Sequence, residues 1–207
     1  MNWMAVLISG LVLWATVSPA WVIWGSQSCS AASPALLLAE GEGVAVVDKA
    51  YDKLAETLGK NWQREYIVWD MCCGVGNLEV KHSNPRNIYM STLDQADIDV
   101  MRATKTCVAA QRFQYDYLND DITDDGKIDY SLTNKVPQGL RDAIAAGKKI
   151  LVLINPPYGE TGSGIGKGDM NKKGVEQTRI NATMVKEGYA SKELFVQFLA
   201  RIAKELP

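Results

Sequence analysis

The chain has one histidine and no Cys-x-x-Cys spacing among its four cysteines. A lone imidazole, His82, with no Cys or His cluster around it, supports neither a metal centre nor a histidine-based catalytic triad. Cys29, Cys72, Cys73 and Cys107 lack the spacing of a zinc site, and the adjacent Cys72 and Cys73 are poor geometry for an ordinary disulfide. They read as the thiols of a reduced, cytoplasmic enzyme without structural zinc. A basic excess is missing as well, because 22 Lys and Arg against 24 Asp and Glu leave a formal net charge of −2. A self-sufficient nucleic-acid binder usually carries a basic field, so any grip on DNA has to be local or supplied from elsewhere. No internal repeat is visible. With 47% apolar and 22% charged residues, the composition excludes a wholly disordered, collagenous or multi-span membrane chain.

At 207 residues the chain suits one α/β domain, or one domain with an appendage. Residues 3–24 carry no charge, a length that could span a bilayer. Yet Met1 and Asn2 give no positive flank for a secretory signal, and Pro19 interrupts a continuous helix. A membrane role is therefore not expected. Residues 1–40 are read as a hydrophobic amino-terminal segment without an assigned role, and residues 41–207 as the working domain.

From residue 41 onward the pattern is regular. Val44, Val47, Ala50, Tyr51, Leu54 and Leu58 recur at helical spacing until Gly59, which suits a helix stop. Residues 66–69 form a short β-branched and aromatic run ending at Asp70. A second run, 88–93, ends at Asp94, and Ile98, Met101 and Ala109 then suggest a helix. A third, 112–115, ends at Asp116. The fourth, 149–154, is continuously apolar after its lysine and stops at Asn155-Pro156-Pro157. Four strands separated by helical stretches predict a parallel sheet in an α/β fold. Ligands in such sheets bind at the carboxyl ends of the strands, where Asp70, Asp94, Asp116 and Asn155 all fall. Residues 191–206 put Leu194, Phe195, Phe198, Leu199 and Ile202 on one stripe, with Lys192, Glu193, Arg201, Lys204 and Glu205 away from it, an amphipathic helix.

The segment Asp70-Met71-Cys72-Cys73-Gly74-Val75-Gly76-Asn77 reads as a strand end, an acid, a Gly-x-Gly turn and the start of a helix. Glycines let the backbone approach a ligand closely. The third glycine of a dinucleotide fingerprint is replaced by Glu79. Asp94, some twenty residues on, is placed to accept hydrogen bonds from both hydroxyls of a ribose; Asp97 is the fallback. Asp116 is a candidate acceptor for the exocyclic amine of an adenine, with Tyr115 and Tyr117 packing near the ring. Each aspartate alone is equally suited to capping the helix that follows it. Asn155-Pro156-Pro157-Tyr158 is the most specific element. Two prolines stiffen the turn, so the Asn155 side chain and the Pro156 carbonyl become fixed acceptors. Two fixed acceptors suit a planar amine: they localise its lone pair on nitrogen and aim it at an electrophile. Tyr158 offers a face on which a flipped-out base can stack.

In this order, residues 70–79, Asp94, Asp116 and 155–158 resemble motifs I to IV of the S-adenosylmethionine-dependent DNA adenine-N6 methyltransferases. The cofactor loop precedes Asn-Pro-Pro-Tyr, which is similar to the gamma-type arrangement of many restriction-modification enzymes. The likeness covers about residues 45–206. It implies a class I methyltransferase fold, a Rossmann-like doubly wound, mostly parallel sheet, here incomplete on its C-terminal side. It implies S-adenosylmethionine held by Asp70, Cys72, Gly74, Gly76, Asn77, Asp94, Asp116 and Tyr117. It further implies a target adenine, flipped from duplex DNA, held by Asn155, Pro156, Pro157 and Tyr158, without a metal. A target-recognition or nuclease domain downstream would complete such an enzyme. Closely related chemistry on a protein glutamine amide or an RNA base amine uses similar turns, and a non-catalytic fragment is the third reading.

Two weaker signals remain. Residues 159–174 are glycine-rich and carry Lys167, Lys172 and Lys173, suited to a DNA phosphate backbone or simply to a solvated loop. Residues 121–132 approximate a calcium loop, but Thr123 and Leu132 stand where carboxylates are favoured, so an acidic surface insertion is expected.

Overall fold

The computed structural model describes residues 3–8, 11–14, 22–23, 42–157 and 175–206. In chain order its elements are β1 (Trp3–Ile8), β2 (Leu11–Trp14), β3 (Val22–Ile23), α1 (Glu42–Leu58), α2 (Trp62–Glu65), β4 (Ile67–Asp70), β5 (Ile88–Thr92), α3 (Gln95–Ala103), β6 (Gln111–Gln114), α4 (Gln138–Ala145), β7 (Ile150–Leu153), α5 (Arg179–Ala182) and α6 (Leu194–Glu205).

The four runs become a parallel sheet in the order β7-β4-β5-β6. Trp69 lies opposite Tyr89 on one side and Val152 on the other, and Ser91 lies opposite Phe113. All four residues of β7 are buried, which is why its sequence is continuously apolar instead of alternating. Successive side chains point to opposite faces, and two cores result. Val68, Leu151 and Leu153 pack with Val47, Tyr51 and Leu54 of α1 and Ile98 and Met101 of α3. Trp69, Ile150, Val152 and Ile154 pack with Leu140 of α4 and Phe198 and Ile202 of α6. Helices therefore cover both faces, the α/β layering that the alternating runs predict.

At the outer edge of β7, β1 and β2 form an antiparallel ladder, and Met4 of β1 and Val22 of β3 both register opposite Val152. β4 fills the other edge of β7, and β3 pairs with β7 off the main strand path. No helix among the described residues is long and apolar enough to cross a membrane.

Several expectations need correction. The helix anticipated after the glycine turn does not form: residues 71–81 are a run of turns, and the chain reaches β5 through a short 3-10 turn at Pro85–Asn87. The helix after β5 ends at Ala103 and does not include Ala109. Most instructive is α6, where Arg201 and Glu205, assigned by spacing to the solvent face, are buried at 0% and 5% exposure. They form an internal ion pair, Nη2 to Oε1, at 3.4 Å. The remaining helix terminations follow local rules. Gly59 closes α1 with its N–H donating to the Ala55 carbonyl at 3.1 Å, and Asp94 caps α3 by accepting from the Ala96 N–H at 2.9 Å.

Candidate functional site

Chain order moves outward from β4 to β5 to β6, then returns to β7 on the opposite side of β4. The strand order therefore reverses between β4 and β7, and a crevice outside the carboxyl ends of two such strands is the usual ligand site of an open α/β sheet. Because Trp69 pairs with Val152, Asp70 is level with Leu153, and Asn155 follows only two residues later. Adjacent strands lie about 5 Å apart, so the glycine turn after β4 and the Asn-Pro-Pro turn after β7 leave the same end of neighbouring strands. Asn155 is half-buried, Pro156 buried and Pro157 half-buried. Tyr158 and the lysine-bearing segment 159–174 lie outside the described residues, as does Cys29.

The glycine turn is built by backbone bonds. The Cys72 N–H donates to Asp70 Oδ1 at 2.8 Å, the Cys73 N–H to the Ser91 carbonyl at 3.0 Å and the Gly76 N–H to the Cys73 carbonyl at 2.9 Å. Gly74 and Gly76 both take positive φ, 52° and 82°. They differ in surroundings: a Cβ on Gly74 would meet nothing, whereas one on Gly76 would stand 2.6 Å from Met90 Cε and 3.2 Å from Met101 Sδ. Gly74→Ala is accordingly expected to cost about 1 kcal/mol, from the left-handed backbone alone. Gly76→Ala adds steric overlap for a total of about 2–4 kcal/mol. Urea denaturation of the two variants checks this; equal losses would show that packing under Gly76 does not matter. Cys72 is half-buried and Asn77 exposed beside this turn. Cys73 and Cys107 are free thiols.

Beneath the turn lies a feature that spacing did not disclose. Glu79, which stands in place of a third glycine, is fully buried, and Asp70 is 1% exposed. Their carboxyl groups face one another, and burial followed by mutual repulsion raises Glu79 well above the ordinary carboxylate range. Burial likewise pushes Asp70 up to about 7, against the opposing effect of its bonds to Glu79 and to the Cys72 N–H. Protons bound only by the folded state make stability fall as pH rises. The contribution of this pair is whole below the ordinary carboxylate pKa, about 4, and is lost as pH climbs from there through about 7. Glu79→Gln is expected to flatten that descent by about 1.4 kcal/mol per pH unit for each proton removed from the linkage. Urea midpoints measured across this window test it; an unchanged slope would mean the pair does not titrate on folding.

The other anticipated residues divide. Asp94 is exposed at the end of β5 and already caps α3 through one oxygen. Asp97 accepts from the Thr92 hydroxyl at 2.7 Å. Asp116 is half-buried, and both of its oxygens serve the turn after β6. Oδ1 accepts from the Leu118 N–H at 3.2 Å and Oδ2 from the Asn119 amide at 2.8 Å. Tyr115 and Tyr117 depart from expectation, being 1% and 2% exposed. The Tyr117 ring stacks on Phe198 at 5.4 Å and its hydroxyl donates to Glu205 at 2.6 Å, so it is a core residue with no face turned to a ligand. The structure thus brings Asp70, Cys72, Gly74, Gly76, Asn155 and Pro156 to one end of two adjacent strands, places Asp94 and Asp116 at the ends of the next two, and removes Tyr117. Alternation could have found that last point: Tyr115 and Tyr117 have the period of a buried face, while Asp116 between them does not.

His82 is a core histidine. Its Nδ1 accepts from the Asn84 N–H at 3.1 Å, its ring packs edge-on against Trp62, and burial lowers its pKa to about 4. Among the described residues no group of three or more His, Cys, Asp or Glu is arranged to hold a metal ion. The 121–129 segment is a hairpin closed by an Ile122–Ile128 bridge, with Asp121 and Ile122 buried at its base and an exposed tip where Asp125 pairs with Lys127 at 2.6 Å.

No protein-family description matches the chain, and no curated protein or solved structure is significantly similar to it.

Proposed function

We propose that the chain carries the catalytic core of an S-adenosylmethionine-dependent DNA adenine-N6 methyltransferase of the restriction-modification kind, on a class I methyltransferase version of the α/β fold. The observation that supports this most is the adjacency at the reversal of strand order. The Gly-x-Gly turn and the Asn-Pro-Pro turn leave neighbouring parallel strands β4 and β7 at the same end. A binding loop and an amine-holding turn in a single crevice are what transfer between a carrier and a planar nitrogen requires.

S-adenosylmethionine supplies an electrophilic methyl group on a positively charged sulfur. The residues present suit such a cation: Asp70 Oδ2 is buried with no hydrogen-bond partner among the described residues beyond the facing Glu79 carboxyl. Gly74 leaves open space where a side chain would stand. In this reading Asp94 keeps one carboxylate oxygen for the ribose while the other caps α3. The Asp116 turn borders the adenine end of the cofactor. Asn155 Oδ1 and the Pro156 carbonyl accept the two hydrogens of the target amine and direct its lone pair along the line of methyl displacement. The amine proton then leaves to solvent. DNA supplies the target as a base rotated out of the duplex, and sequence readout belongs to contacts outside this core, in a target-recognition domain.

The test is transfer of a labelled methyl group to DNA, RNA and a protein substrate bearing an accessible glutamine, followed by hydrolysis and identification of the product. N6-methyladenine from DNA is the expected result. Label confined to RNA or protein would move the activity to the related amide or RNA chemistry. Absence of transfer together with absence of cofactor binding would overturn the proposal in favour of a non-catalytic fragment.

A further inference from the structure

The feature least explained by folding is the pair of acids under the glycine turn. Asp70 and Glu79 are 1% and 0% exposed. Asp70 Oδ1 receives the Cys72 N–H, the Cys72 thiol also acts on Asp70, and the two carboxyls bond to one another; beyond these, Asp70 Oδ2 and both Glu79 oxygens find no partner among the described residues. Other donors nearby are spent elsewhere. From α1, the Tyr51 hydroxyl donates to the Leu78 carbonyl at 2.9 Å. The Cys73 thiol in the turn donates to the Gly74 carbonyl, and the Cys107 thiol, from the segment between α3 and β6, to the Glu79 carbonyl, each at 3.4 Å. Asp97 of α3 adds a further negative charge that bears on Cys73.

Among the described residues no cation offsets the pair. Arg112 on β6, which acts on Cys107, gives its guanidinium to the Met101 and Thr106 carbonyls at 3.1 Å. Lys81 is held at the surface by Asp48 at 3.2 Å. Neither an ammonium nor a guanidinium is among the groups acting most strongly on either carboxyl. Two buried carboxyls that face each other, with no cation beside them among the described residues, must keep at least one proton between them. A structural acid would ordinarily carry a partner, and this pair stands at the point where strand order reverses.

We infer that Asp70 and Glu79 form a proton-linked charge sensor, which holds its proton while the crevice is empty and releases it to solvent when a positively charged ligand group settles on the glycine turn. The inference rests on the reading that this turn seats the methyl donor, and it deepens that reading by assigning Glu79 a positioning role. An arriving positive charge supplies what the fold withholds, so the pair ionises and the ligand is held by the resulting carboxylate. A neutral analogue gains no such attraction. The site would thereby select for charge in addition to shape.

The test is calorimetric titration of the whole chain near neutral pH, in buffers of different protonation enthalpy. The ligands are S-adenosylmethionine, S-adenosylhomocysteine, which keeps the ammonium but not the sulfonium, and methylthioadenosine, which has neither. Roughly one proton is expected to leave per S-adenosylmethionine bound, and none per methylthioadenosine. Release with S-adenosylhomocysteine supports the ammonium as the sensed charge; its absence there supports the sulfonium. Glu79→Gln should bind the donor with no release. The unaltered chain gives a second readout that needs no variant: its affinity for S-adenosylmethionine should rise up to about tenfold per pH unit through the pair's titration range. Binding without proton release, equal release with methylthioadenosine, or release unchanged in Glu79→Gln each overturns the inference while leaving the cofactor assignment standing. Failure to bind any of the three ligands overturns both.

Discussion

Asn155→Ala is expected to lower methyl transfer by roughly 10²–10³-fold while leaving S-adenosylmethionine affinity unchanged, the magnitude typical of removing one preorganised polar group aimed at a reacting centre. The separation of the two effects follows from the fold. Asn155 follows β7, whereas the proposed cofactor loop follows β4, and the backbone bonds that shape that loop run to Asp70, Ser91 and Cys73, not to β7. Truncating Asn155 removes an acceptor without touching the turn at Gly74. Little global destabilisation should accompany it, since the side chain is half-buried and the strand before it is anchored by four buried apolar residues. Asn155→Asp keeps an oxygen acceptor at the position and should retain more activity than the alanine variant. Single-turnover transfer and direct cofactor titration on the same preparations provide the two numbers. Equal loss of both would show that Asn155 supports the crevice as a whole, and would remove it from its assigned role.

The sheet was legible because its determinants are local. Short runs bounded by Asp or Asn place β4, β5, β6 and β7 within a residue or two of their observed limits; the wholly buried β7 is continuously apolar, whereas β6, Gln-Arg-Phe-Gln, is a partly exposed strand marked by position alone. Asp70 and Asn155 could be assigned to strand ends for the same reason. What sequence did not disclose are contacts that arise only when distant segments meet. Arg201 and Glu205 read as solvated because charge normally seeks water; their partners, Tyr115, Tyr117 and Tyr130, are 75 or more residues earlier in the chain. Glu79 presented itself only as a missing glycine, and its burial depends on α1 and on Cys107 closing over the turn. The absent helix after Gly76 has a local cause in part, because two positive-φ residues, Gly74 and Gly76, break the right-handed path.

Arg201→Ala should be the most destabilising single change outside the crevice, by about 3–5 kcal/mol, because it strands a buried carboxylate and several acceptors at once. Arg201 Nη1 donates to the Tyr117 and Asp120 carbonyls, and Nη2 to the Tyr115 hydroxyl and to Glu205. The guanidinium also lies 4.3 Å from the Tyr117 ring centre. Glu205 in turn accepts from Tyr117 at 2.6 Å and Tyr130 at 2.7 Å. One side chain therefore ties α6 to the whole segment that follows β6. Arg201→Lys preserves the charge but cannot reach two carbonyls and a hydroxyl from one ammonium with the same planar fork, so it should recover only part of the loss. Arg201→Met with Glu205→Leu removes both charges and fills similar volume, and should be markedly less damaging than Arg201→Ala alone. Urea denaturation of the four proteins measures this. The turn at Asp116 lies within the clamped segment, so the alanine variant should also loosen the end of β6 and increase amide exchange at Leu118 and Asn119, while exchange at Cys72 and Cys73 stays slow. If Arg201→Ala unfolds at the same urea concentration as the parent protein, or if the double replacement is the worst of the set, the network does not hold α6 in place.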